Sequence, residues 1–134
     1  MWSADRHCYT IGDIRPGTAE LLKGYRASWV AIDEPKFDSS VAADVPLTAG
    51  VAYFRFHGRN AETWWTGNTE TRYKYLYSLE EIRELSTKIN GAAENAGSTL
   101  VYFNNHWKAY APRNANEIKK VLQLPFVDFM VIDI

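Results

Sequence analysis

The chain has 134 residues, enough for one domain with a core of its own. Its 46% apolar and 23% charged content is that of a folded soluble protein and not of a disordered chain. The formal charge of −1 excludes a global basic field for nucleic acid, so any anion site must be local. A single cysteine, Cys8, excludes an internal disulfide and a Cys-rich metal site.

One cysteine fits a reducing, cytoplasmic setting. No apolar run approaches the roughly 20 residues of a membrane helix. The first ten residues lack the basic and apolar regions of a signal peptide.

Pro16-Gly17 introduces a short helix over 17–26, with Leu21, Leu22 and Tyr25 on its apolar side. Residues 28–33 read as a strand, stopped by Pro35. Residues 34–50, rich in Pro, Asp, Ser and Ala, read as irregular. Residues 51–57 are the clearest strand, ended by Gly58. The segment 58–77 is long for a loop and carries Trp64-Trp65 and several tyrosines, which argues for function over disorder.

Ser78 and Glu81 form a capping-box pattern opening a helix over 79–95. Leu79, Ile82, Leu85, Ile89 and Ala93 mark its apolar stripe. Residues 99–103 read as a strand. Residues 112–123 read as a helix that starts at Pro112 and carries Ala115, Ile118, Val121 and Leu122 on one side. Residues 126–132 read as a final strand. Strands joined by helices imply α/β units and a mostly parallel sheet of about four strands. A closed (β/α)₈ barrel needs about 250 residues, so the pattern predicts a partial TIM-barrel-like fold forming a single domain.

Side chains alternate across a strand. In 51–57, Ala52, Phe54 and Phe56 share one face, and Tyr53, Arg55 and His57 the other. In 99–103, Val101 and Phe103 oppose Tyr102, whose face Asn104 continues. In 28–33, Val30 and Ile32 oppose Trp29, Ala31 and Asp33. If the faces that turn polar line a barrel interior, Asp33, Arg55, His57, Tyr102 and Asn104 converge at its C-terminal mouth. Arg55 and Arg59 suit a carboxylate or phosphate through paired planar donors. His57 suits proton exchange near neutral pH. Asp33 or Glu34 can orient His57 or neutralise an arginine, and Asn104, Asn105 and Asn114 offer hydrogen bonds.

A structural reading stands beside each of these. Arg55 can pair with Asp33 inside the sheet, because a buried guanidinium needs a partner. Arg59 can be a solvated loop charge. Asn104-Asn105 can merely turn the backbone. Trp64, Trp65 and Tyr75 can be loop packing. His7 and His106 suit surface or capping roles, and Cys8 an inert one. There is no G-x-S-x-G elbow, P-loop, G-x-G-x-x-G or H-E-x-x-H, so the residues name no metal and no cofactor.

The segments 30–35, 52–60, 73–78, 101–105 and 110–115 resemble the YecE-like family, domain of unknown function 72. The Arg-x-His-Gly-Arg element at Arg55–Arg59 and the Phe103-Asn104-Asn105 element carry the likeness together. The resemblance implies a TIM-barrel-like fold with these motifs at its mouth, and no particular reaction. It also implies that the chain corresponds to the C-terminal half of a member, hence self-association, pairing with a complementary N-terminal half, or a rearranged compact fold. The functions that follow are an enzyme-like pocket for a small anionic or polyhydroxylated ligand, a non-catalytic binding module using the aromatic loop, or a half-barrel active only in assembly. The overall charge gives nucleic-acid binding little support.

Overall fold

The computed structural model describes residues 17–37 and 47–127. Arg6, His7, Cys8, residues 38–46 and most of the strand expected over 126–132 lie outside the described residues; Phe126 and Val127 are not in a strand. In chain order the elements are α1 (Thr18–Gly24), β1 (Val30–Asp33), β2 (Val51–Phe56), α2 (Thr69–Arg72), α3 (Leu79–Ala93), β3 (Ser98–Phe103) and α4 (Tyr110–Val121). The strands form a parallel sheet in the order β1-β2-β3. Sequential parallel strands, with α2 and α3 in the crossover from β2 to β3, make a partial, barrel-like α/β unit. No helix among the described residues is long and apolar enough to cross a membrane.

Alternation in β2 places Ala52, Phe54 and Phe56 under the helices. With Ala31, Tyr77, Ile82, Leu85, Ile89 and Ile118 they form the core. Fully burying a side chain such as Phe56 contributes about 1.5–3 kcal/mol. The α3 stripe is shorter than expected, because Leu79 and Ala93 at its ends are exposed while Ser86 is buried and bonds back to the Ile82 carbonyl. The capping box forms in full. α4 begins at Tyr110, two residues earlier than Pro112 suggests; proline is tolerated in a first turn, where backbone N–H groups have no intrahelical partner. α1 buries no residue, and Leu21 and Tyr25 face solvent. Thr48 ties the entry of β1 to the chain before β2, accepting from the Trp29 N–H and donating to the Ala27 carbonyl.

Candidate functional site

The expected convergence divides into two clusters on opposite faces of the sheet. Register decides this. Asp33 pairs with Phe56 and Ile32 with Arg55, so Asp33 lies on the helix-covered face and Ile32 on the open one. The alternation in β1 is as read from the sequence, but its two faces are exchanged. Asp33 therefore does not join Arg55. An aspartate is admitted to the covered face because Arg59 and Tyr77 bring donors to it there.

On the covered face, the Arg59 Nε donates to Asp33 Oδ2 at 2.9 Å and one terminal nitrogen donates to Asp33 Oδ1 at 2.8 Å. Its other terminal nitrogen reaches Glu81 and Glu84, each at 3.2 Å. The Tyr77 hydroxyl donates to Asp33 Oδ2 at 2.8 Å and accepts from the Gly58 N–H at 2.8 Å. The Tyr75 hydroxyl donates to Glu81 at 2.6 Å. Hydrogen bonding to Asp33 holds the guanidinium firmly protonated. Burial, then the Asp33 charge, raises the Tyr77 phenol; burial, then the bond to Glu81, raises Tyr75. Arg59 is thus neither a free anion contact nor a solvated charge. It neutralises Asp33, the partner the sequence offered to Arg55.

Asn105 and Asn114 belong with this structural cluster. Asn114 accepts from the Tyr77 N–H and donates to the Tyr77 carbonyl, and Asn105 donates to Asn114 and to the Tyr75 carbonyl. Both side chains are sealed from solvent and hold the strand-like segment before α3. Tyr75 lies away from Arg55, bordering an open groove of about 590 Å³ with Asn60, Thr63, Thr71 and Lys74.

The open face holds the second cluster. Arg55 donates from Nε and one terminal nitrogen to Asn104 Oδ1 at 3.3 and 3.1 Å. Asn104 is positioned by the end of β3, where its N–H continues the ladder to the Phe56 carbonyl at 2.7 Å. Tyr102 is in register with Arg55, half exposed, and edge-on to Tyr53 at 5.4 Å. His57 extends β2, its N–H bonding the Asp33 carbonyl at 2.9 Å. Its ring lies 6.4 Å from Trp64 and 5.7 Å from Tyr73, and Tyr73 lies 5.5 Å from His106. The His57 Nδ1 is buried without a hydrogen-bond partner. Burial, then the nearby Arg55 charge, lowers its pKa from 6.5 to about 4, although Asp33 opposes the shift. The imidazole is neutral at neutral pH, which displaces the proton exchange near pH 7 expected from its residue type.

The sequence reading missed Tyr73 and His106 as neighbours of His57, and Tyr77, Glu81 and Glu84 as the shell around Asp33 and Arg59. For Glu81 and Glu84 there was a signal: Glu80, Glu81 and Glu84 give the first turns of α3 three acids, and Arg59 directly follows Gly58 in the loop after β2. Of the tandem tryptophans, Trp64 is buried against His57 and Tyr73, whereas Trp65 is exposed and packs on Phe37 at 5.7 Å.

The family model described as protein of unknown function DUF72 matches residues 7–129. A solved DUF72 family protein from Thermotoga maritima MSB8 is 37% identical, with a TM-score of 0.79 over 86% of this chain. Two structures of a DUF72 family protein from Enterococcus faecalis V583 are 30% identical, with TM-scores of 0.73 and 0.71 over 87% and 85% of this chain. The chain spans 44% of the length of each of these relatives. No curated protein matches it. Matched over most of its length and sharing their fold, the chain belongs to the DUF72 family.

Proposed function

We propose that the open-face cluster binds a small anionic ligand, with Arg55 as the charge contact, Asn104 as its positioner and His57 as a neutral hydrogen-bonding neighbour. One observation carries this reading. Arg55 is a half-buried guanidinium held by a neutral amide and by no carboxylate among the described residues, while Arg59 is surrounded by three. A planar donor left uncompensated in this way is suited to a carboxylate or phosphate. The unpartnered His57 Nδ1 beside it supplies a second polar contact, and Trp64 and Tyr73 shield that side from water. Tyr102 borders the site. Acid/base use of His57 is the second reading. A bound anion offsets the Arg55 charge, one cause of the low pKa, and so brings the imidazole nearer the range in which it exchanges protons.

The test is titration of the chain with inorganic phosphate and with a small dicarboxylate, followed through the His57 ring resonances. Saturable shifts that disappear in Arg55→Gln, with the fold retained, are expected. Shifts that do not saturate, or that persist unchanged in Arg55→Gln, eliminate the assignment. Turnover lost in His57→Ala while anion binding remains would select the acid/base reading over binding alone.

A further inference from the structure

The hydrogen-bond ladders of the sheet run one residue past its strands. The His57 N–H bonds the Asp33 carbonyl, and the Asn104 N–H bonds the Phe56 carbonyl. The alternation of burial runs on as well. Asp33 and Pro35 are buried and Glu34 between them is half-buried, as His57 is between Phe56 and Gly58. Glu34, His57 and Asn104 therefore form one row across the C-terminal end of the open face, next to the row Ile32, Arg55 and Tyr102. Among the described residues the Glu34 carboxyl has neither a hydrogen bond nor an ion pair. Arg55 lies diagonal to it, about 8 Å away between Cα atoms from ordinary strand spacing and rise. The guanidinium turns instead to Asn104 on the β3 side. Burial, then the adjacent Asp33 charge, raises the Glu34 pKa. A half-buried carboxyl with no cation lowers stability, and functional sites are where such groups are retained.

We infer that Glu34 sets the specificity of this site, which takes a hydroxylated anion: the anionic group sits at Arg55 and a hydroxyl donates to the Glu34 carboxylate. This rests on the reading of Arg55 as the anion contact. Like charge keeps the anionic group away from Glu34 and so fixes the direction in which the ligand lies. The diagonal spacing suits a ligand whose anionic group and hydroxyl are a few bonds apart. An anion of the same charge without the hydroxyl leaves the half-buried carboxylate unpaired, and a site built to bond a hydroxyl discriminates against the analogue that lacks it. His57 stands beside Glu34 in the row, so the same hydroxyl lies within the neighbourhood of the imidazole.

The experiment measures the affinity of the whole chain for two pairs of probes, methyl phosphate with glycerol phosphate and propionate with 3-hydroxypropionate, through the His57 ring resonances. Expected is a preference of about tenfold or more for the hydroxylated member of at least one pair. The preference should disappear in Glu34→Ala and be reduced in the isosteric Glu34→Gln, whereas Arg55→Gln should weaken both members of the pair together. The urea midpoint of Glu34→Gln should be unchanged or higher, because an unpaired carboxyl is removed. Equal affinity within both pairs, or a preference that persists in both Glu34 variants, overturns the proposal and leaves the anion reading of Arg55 standing. A lowered urea midpoint in Glu34→Gln gives the carboxyl a structural role and overturns the proposal as well. No saturable binding by any of the four probes overturns both.

Discussion

The Arg59 guanidinium uses all three of its nitrogens on Asp33, Glu81 and Glu84, and it is 17% exposed against 3% for Asp33. Removing one partner of a buried pair leaves the other charge uncompensated, at a cost of about 3–5 kcal/mol. Arg59→Leu is therefore expected to lower stability by that amount in urea unfolding, with Arg59→Lys intermediate because it keeps the charge and loses the fork. Gly58 is similarly constrained. Its φ is +92°, and an added Cβ would lie 2.6 Å from the Tyr75 Cβ, so Gly58→Ala should cost about 1–3 kcal/mol or more. His57 gives a pH-dependent outcome. An imidazole with its pKa held at about 4 takes up a proton less readily folded than unfolded. Its contribution to stability is complete above pH 6.5 and is lost as pH falls towards 4. Its ring resonance should titrate near 4, and Arg55→Gln should move that midpoint upward. An unmoved midpoint would remove Arg55 from the causes.

α3 owes its start to local chemistry. Ser78 Oγ accepts from the Glu81 N–H at 3.2 Å, and Glu81 accepts from the Ser78 N–H at 2.9 Å. Ser78→Ala should cost about 0.5–2 kcal/mol in thermal or urea unfolding. Glu81 also serves Arg59 and Tyr75, so Glu81→Ala should cost more than the cap alone; equal costs would mean that the Arg59 contact contributes little. Preceding α3, the Tyr77 backbone has no strand beside it among the described residues and bonds through its N–H and carbonyl to Asn114. A side-chain amide in α4 thus replaces a β-ladder. Asn114→Ala strands buried groups of Tyr77 and Asn105, each worth about 1–3 kcal/mol, and should be among the most destabilising single changes.

Among the described residues, β2 is paired on both sides and backed by the core, while β1 and β3 are each paired on one side. Native-state hydrogen exchange should rank the β2 amides slowest and the outer-edge amides of β1 and β3 fastest. This gradient also orders the two polar clusters. The Asp33–Arg59 cluster lies on the covered face and acts in stability. The Arg55–Asn104 cluster lies on the opposite face, where the anion proposed above would meet it.

The sequence by itself determined most elements and their order. Helical spacing, a capping box and strand alternation are local patterns, which is why α3, β2 and β3 could be read directly. It also marked Arg55, His57 and Asn104 as lying together at strand ends, because alternation in β2 and β3 is unambiguous when Phe54, Phe56 and Phe103 must be covered. In β1 both faces are apolar enough to be buried, so composition could not choose between them. The choice fell to pairing with β2 and to Arg59 and Tyr77, which arrive from 26 and 44 residues away. Only tertiary structure could decide that Arg59, not Arg55, takes Asp33. The reason is physical: an ion pair forms where two side chains meet in space, and sequence periodicity records the face a residue occupies but not the partner that reaches it.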